Sequence, residues 1–242
     1  MRSTRLPGKM LADVGGKPLV AWTGQRARES GADQVVIATD HQSIADALSR
    51  LNFHVCTTSP QHATGTDRIA EAVTLLGYPP DAIVVNVQGD EPLLAPSSID
   101  QVVAALQDDP GARMSTAVRP AESDAEWLDR NVVKAVLATT GDALYFSRAP
   151  IPSFPTAAGP KNAARWVHIG LYGFRREALF QFASMAPTPL ELEERLEQLR
   201  ALENGWRIRV VAVSEPTCAV DVPSDVLRVE KILADNRMRR AS

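Results

Sequence analysis

The run Ile83-Val84-Val85-Asn86-Val87-Gln88-Gly89-Asp90-Glu91-Pro92 carries an apolar, β-branched segment into two acids. It is too short to span a membrane and reads as a buried strand. Gly89 lets the backbone bend and Pro92 stops the strand from continuing. Asp90 therefore falls at the carboxyl end of a strand, where open α/β sheets bind ligands. An acid there calls for a cationic partner, and a divalent ion carrying a nucleotide phosphate is one. Asp221, in Ala219-Val220-Asp221-Val222-Pro223-Ser224-Asp225, sits at a similar junction of strand and helix. Either the two carboxylates share one Mg²⁺, or each caps its own turn.

Other polar groups have the same double character. Arg5 and Lys9 flank a Pro7-Gly8 turn. Two cations beside exposed N–H groups can hold a triphosphate, or they form a solvated basic tail. The glycine spacing and Lys-Ser/Thr ending of a P-loop are absent. Thr64-Gly65-Thr66-Asp67-Arg68 opens a helix with Thr66 as its expected N-cap; the free N–H groups meet an anion or base edge, or are simply capped. In Val167-His168-Ile169-Gly170-Leu171-Tyr172, the period of two puts His168, Gly170 and Tyr172 on one face. That face is a polar pocket, or its His is satisfied internally. Leu144-Tyr145-Phe146-Ser147-Arg148 ends a strand in an Arg that clamps a carboxylate or stands exposed. In a helix expected over 190–203, Leu192, Leu196 and Leu199 form the buried stripe and leave Glu197 and Gln198 on the surface.

These residues need a scaffold. Strands are expected at 35–39, 83–87, 114–118, 132–137, 167–172 and 208–213. Amphipathic helices are expected at 18–30, 42–51, 67–76, 97–106, 176–185, 189–203 and 224–238. Such alternation argues for an α/β fold with a mostly parallel sheet and helices on both faces. One domain over 1–242 is expected, with residues 151–162 as a Pro-rich loop or flap. Folds of this kind open with a buried strand leading into the phosphate loop. Here Arg2-Ser3-Thr4-Arg5-Leu6-Pro7-Gly8-Lys9 comes first, so that strand is expected upstream and Met1 is expected not to be the natural start. An apolar content of 45% supplies a full core, and a net charge of -3 points to no nucleic acid or acidic membrane. Cys56 and Cys218 share no metal-ligand spacing and fit free thiols in a reducing cytoplasm. No apolar stretch approaches the ~20 residues of a membrane helix, and no signal-peptide core follows the first residues.

Taken together, the segments resemble one family, the 3-deoxy-manno-octulosonate cytidylyltransferases, or CMP-KDO synthetases. The matching stretches run in the family's order: Ser3-Thr4-Arg5-Leu6-Pro7-Gly8-Lys9, Gly16-Lys17-Pro18, Ala38-Thr39-Asp40, Gly65-Thr66-Asp67-Arg68, Asn86-Val87-Gln88-Gly89-Asp90-Glu91-Pro92, Leu144-Tyr145-Phe146-Ser147-Arg148, His168-Ile169-Gly170-Leu171-Tyr172 and Leu196-Glu197-Gln198-Leu199-Arg200. The resemblance implies a three-layer α/β/α nucleotidyltransferase fold. It implies a Mg²⁺-dependent reaction of CTP with the sugar acid KDO, giving CMP-KDO and pyrophosphate for lipopolysaccharide assembly by a homodimer. By matching motifs, Arg5 and Lys9 hold phosphates and Asp90 and Asp221 bind Mg²⁺, with Lys9, Asp90 and Asp221 as the catalytic set. Asp40, Thr64, Gly65, Arg68 and Gln88 belong to the nucleotide, and Gln88, Arg148, His168, Tyr172, Glu197 and Gln198 to the sugar. The chain departs from the family in Ala219 for Gly, Val222 for Thr and Val167 for Arg, in a shorter loop after Ile151, and in lacking the first strand with its Arg. The alternatives are a cytidylyltransferase for sialic acid or 8-amino-KDO, and a non-catalytic CTP-binding relative.

Overall fold

A computed structural model describes residues 6–153, 164–215 and 217–241, the last six as backbone only. Arg5 and most of the 151–162 loop lie outside the described residues. In chain order the strands are β1 (Asp13–Val14), β2 (Lys17–Pro18), β3 (Val36–Thr39), β4 (His54–Thr57), β5 (Ile83–Val87), β6 (Met114–Pro120), β7 (Lys134–Leu137), β8 (Ala143–Ser147), β9 (Trp166–Arg175) and β10 (Ile208–Ala212). The helices are α1 (Leu19–Arg28), α2 (Gln42–Ser49), α3 (Gly65–Leu76), α4 (Pro96–Asp108), α5 (Asp124–Leu128), α6 (Arg176–Ser184), α7 (Pro189–Glu194), α8 (Leu199–Glu203) and α9 (Pro223–Ala241). No described helix is long and apolar enough to cross a membrane.

The chain divides into two compact units. The first comprises Met1–Gly77, Val87–Asp100 and Pro216–Ser242, and the second Tyr78–Asn86 and Gln101–Glu215. In the first unit, β3 and β4 pair in parallel, with Thr39 beside Thr57 at their carboxyl ends. One apolar cluster joins Val14, Leu19, Trp22, Val220 and Val229. Another joins Val20, Ala21, Ile44 and Leu48. Gly24 is required here: a Cβ on it would stand 2.8 Å from the Phe53 ring.

The second unit is built on a six-stranded sheet ordered β10-β6-β9-β7-β8, with β5 also pairing β9. The expected α/β alternation is present, and the sheet is mixed. β10 runs parallel to β6, whereas β9 is antiparallel to both β6 and β7, and β7 to β8. The sequence of β9 shows why it holds the centre. Val167, Ile169 and Leu171 are buried on one face, while His168, Gly170 and Tyr172 alternate on the other, half-buried. Gly173 lets α4 lie close, since a Cβ there would meet Ser115 Oγ at 2.5 Å and Val102 Cγ1 at 2.7 Å.

Some local expectations are corrected. The helix expected over 190–203 breaks at Arg195, which takes left-handed backbone (φ 55°) between α7 and α8. Leu192 is therefore 65% exposed rather than part of a buried stripe, although Leu196 and Leu199 are buried. Gln198 is only 2% exposed, because the break turns it inward. Thr64, not Thr66, caps α3, and β4 and α5 were not foreseen.

Candidate active site

The first unit assembles the acidic residues. β5 ends at Val87, and the backbone then turns, with Glu91 N–H donating to the Gln88 carbonyl at 3.2 Å. Thr23 Oγ1 donates to the Gly89 carbonyl at 3.0 Å, tying that turn to α1. A Cβ on Gly89 would crowd Met10 Sδ at 3.1 Å, so glycine lets the 3₁₀ turn of Lys9–Leu11 pack against it. Val220 N–H donates to the Asp90 carbonyl at 3.0 Å, which brings the 217–222 segment alongside. Asp225 holds that segment by accepting from the N–H groups of Asp221 and Val222 at 2.8 and 2.9 Å.

On this frame Asp90 and Asp221 converge. Lys9 Nζ donates to Asp90 Oδ2 at 2.5 Å and to Asp221 Oδ1 at 3.0 Å. Burial works against the Lys9 charge, but the two carboxylates outweigh it and raise its pKa. Asp90 and Asp221 remain partly accessible, at 23% and 41%. Two carboxylates drawn to one positive charge, with room at their outer edge, fit a hard divalent cation such as Mg²⁺. No larger metal cluster, of three or more His, Cys, Asp or Glu, occurs among the described residues.

A second group lies at the carboxyl ends of β3 and β4. Arg68, in the first turns of α3, meets Asp40 at 3.2 Å, Thr58 Oγ1 at 2.6 Å and the Ser59 carbonyl at 3.3 Å. Burial pushes the Asp40 pKa up, but its own backbone N–H and the Arg68 charge carry it below the ordinary value. A capping box fixes the start of α3: Thr64 Oγ1 accepts from Asp67 N–H, and Asp67 accepts from Thr64 N–H. Gly65 leaves space over the Gln88 amide, whose Nε2 would be 3.9 Å from a Cβ. His62 and Glu71 bond at 2.5 Å beside this group, and that hydrogen bond lowers the Glu71 pKa.

The second unit holds the remaining candidates. His168 and Tyr172 stand together on β9 with ring centroids 5.3 Å apart, and Phe146 packs edge-on to His168 at 4.9 Å. Burial lowers the His168 pKa to about 3, so the ring is neutral near pH 7, and it raises that of Tyr172. Tyr172 Oη donates to Gln198 Oε1 at 3.0 Å. The buried Gln198 Nε2 finds no partner among the described residues, so its hydrogen-bond donors are uncommitted there. Glu197 occupies the same turn between α7 and α8. That turn is fixed by Arg200, which pairs in bidentate fashion with the buried Glu191 at 2.8 and 2.6 Å.

Arg148 follows β8. Its Nε donates to the Glu194 carbonyl at 2.9 Å and its Nη1 to the Arg130 carbonyl at 3.3 Å. Those contacts orient the guanidinium and leave Nη2 without a partner among the described residues. Sequence reasoning missed the groups that do this holding. Glu194 takes Ser147 Oγ at 2.5 Å and Arg148 N–H at 2.9 Å. Lys134 is fully buried, with Nζ donating to the carbonyls of Asp129, Val132 and Arg148 at 2.5, 2.7 and 3.0 Å. Burial lowers its pKa. A lysine inside a strand pattern (Val132-Val133-Lys134-Ala135-Val136) was the available signal.

The chain is similar over nearly its whole length to proteins of one family. A cytidylyltransferase family model matches residues 1–208. The 3-deoxy-manno-octulosonate cytidylyltransferase of Myxococcus xanthus is 50% identical over 232 residues, covering 96% of this chain and 92% of that one. Its counterpart in Geobacter metallireducens is 46% identical over 242 residues, with 96% and 94% covered. The solved structure of a CMP:2-keto-3-deoxy-manno-octonic acid synthetase complexed with CTP matches at a TM-score of 0.88 and 35% identity, covering 97% of this chain and 95% of the other. A putative glucose-1-phosphate thymidylyltransferase from Bacillus anthracis, in complex with a sucrose, matches at 0.66 and 12% identity over 96% and 91%, a likeness of fold alone. With a family model over most of its length and relatives near half identity, this chain belongs to the 3-deoxy-manno-octulosonate cytidylyltransferase family.

Proposed function

We propose that this chain transfers a cytidylyl group from CTP to the anomeric hydroxyl of KDO, releasing pyrophosphate and supplying CMP-KDO for lipopolysaccharide assembly. The observation that carries the reading is the convergence of Asp90 and Asp221 on Lys9 in a chain of this family. The sugar hydroxyl forms a new bond to the α-phosphorus while the bond to the leaving pyrophosphate oxygen breaks. Catalysis of this kind rests on positioning and charge neutralisation. Asp90 and Asp221 would hold Mg²⁺, which would supply Lewis-acid stabilisation of the charge that develops on the phosphates. Lys9 balances the two acids and, with Arg5, supplies positive charge to the phosphates. Asp40, Thr64, Gly65, Arg68 and Gln88 receive the nucleotide.

The sugar acid presents one carboxylate and many hydroxyls. Arg148 suits the carboxylate, through a guanidinium already oriented by backbone carbonyls. Gln88, His168, Tyr172, Glu197 and Gln198 suit the hydroxyls, and the open Nε2 of Gln198 supports that role. Cys56 and Cys218, both buried thiols, accord with a reducing cytoplasm and take no part in the chemistry. A homodimer belongs to the same reading and is checked by sedimentation. The test of substrate identity is product mass after incubation with CTP and equal amounts of KDO, 8-amino-KDO and sialic acid. CMP-KDO as the dominant product supports the reading, and dominance of another CMP-sugar replaces the substrate.

A further inference from the structure

Thr116 lies on β6, fully buried. The ladder between β6 and β9 slips beside it: Thr116 faces Tyr172, but Ala117 faces Ile169. Gly170 and Leu171 thus have no counterpart on β6, and they fall between His168 and Tyr172. Bulges of this kind disrupt a ladder locally and re-aim nearby side chains. Here the Leu171 carbonyl accepts from Thr116 Oγ1 at 2.7 Å. A carbonyl can only accept, so the single hydroxyl proton of Thr116 is committed to it. The same Oγ1 lies 2.8 Å from His168 Nε2. With its proton already placed, the hydroxyl meets the imidazole as an acceptor, and Nε2 must carry the ring's proton. A neutral imidazole has one N–H, so Nδ1 is left with a lone pair. His168 Nδ1 makes no hydrogen bond among the described residues.

We infer that Thr116 is a positioning residue that holds His168 as its Nε2–H tautomer and so makes Nδ1 an acceptor for a hydroxyl of the sugar acid. The inference rests on the sugar-site reading above for its ligand, but not for its hydrogen-bond geometry. It also assigns a discrimination. A lone pair at Nδ1 favours an O–H donor and repels a carboxylate oxygen, so the acid end of the sugar is excluded from His168 and left to Arg148.

The test combines ¹⁵N-histidine NMR of the free protein with steady-state kinetics. Wild type should show the His168 proton on Nε2, and Thr116→Ser, which keeps the hydroxyl, should retain both that tautomer and the KM for KDO. Thr116→Val should lose the single tautomer and raise the KM for KDO by about tenfold, the scale of one hydrogen bond, with the KM for CTP unchanged. A proton on Nδ1 in wild type overturns the inference, as does a Val variant with unchanged tautomer and KM. Should the Val variant not fold, the wild-type tautomer and the Ser variant still decide. The NMR result needs no substrate, which separates the two readings. An Nε2–H ring in a protein inert toward KDO upholds the Thr116 lock and removes the sugar assignment; an Nδ1–H ring in an active enzyme does the reverse.

Discussion

Lys9 reaches acids 81 and 212 residues away and gathers them at one point. Removing one negative charge there, with little change of shape, should cost several kcal/mol of transition-state stabilisation. Asp90→Asn is expected to lower kcat by at least about two orders of magnitude while circular dichroism stays native. A folded Asn variant with near-normal turnover would remove Asp90 from the catalytic set. His168 gives a second expectation at this scale. Its folded pKa is about 3 against 6.5 for the free side chain, so the unfolded chain takes up the proton first as pH falls. The stability it contributes is full above pH 6.5 and is lost between there and about 3. The slope is at most about 1.4 kcal/mol per pH unit, and less because the residue is only half-buried. Denaturant unfolding of His168→Asn should accordingly show a flatter decline than wild type over that window; an equal decline would mean that His168 takes its proton no later in the fold than in the unfolded chain.

At the scale of elements, the turn between α7 and α8 sets where Gln198 and Glu197 sit. Its anchor is the Arg200–Glu191 pair, with side chains 4% and 10% exposed. Arg200→Leu strands a buried carboxylate, for which a loss of about 3–5 kcal/mol is the expected scale. Chemical denaturation should read that loss, and the KM for KDO should rise with it. Stability within about 1 kcal/mol of wild type would show the pair to be dispensable. This turn also marks where the sequence stops being legible. Strand β5 was readable to the residue, because a bounded β-branched run has one plausible fate. The 190–203 segment was not, because its leucines fit one continuous helix and no glycine announces the left-handed residue at Arg195. The β9 face was readable from alternation alone, but the bulge that engages Thr116 was not. Gly170, one of the two unpaired residues, is the one signal in that run, and a lone glycine inside a strand pattern does not say which residue of the neighbouring strand the bulge engages. Thr66 is the expected α3 cap, but the reciprocal spacing of Thr64 and Asp67 is the better signal.

Across the whole molecule, the nucleotide and metal candidates fall in the first unit, and Arg148, His168, Tyr172, Glu197 and Gln198 fall in the second. Gln88 lies in the first unit. That division predicts separable defects. Arg68→Ala should weaken CTP binding and leave the KM for KDO nearly unchanged. Gln198→Ala should do the converse, each by about tenfold for a lost hydrogen-bonding group. Calorimetry with CTP and kinetics with KDO check the pair, and an Arg68 variant defective only toward KDO would break the assignment. Transfer, unlike mere binding of CTP, liberates pyrophosphate, so pyrophosphate release distinguishes an enzyme from a CTP-binding relative. Released pyrophosphate is measured for the wild-type chain with CTP and KDO, and with KDO or Mg²⁺ omitted in turn. Sustained release that needs both KDO and Mg²⁺ is expected. Tight CTP binding without release in the complete mixture, or release that is indifferent to KDO, would contradict it.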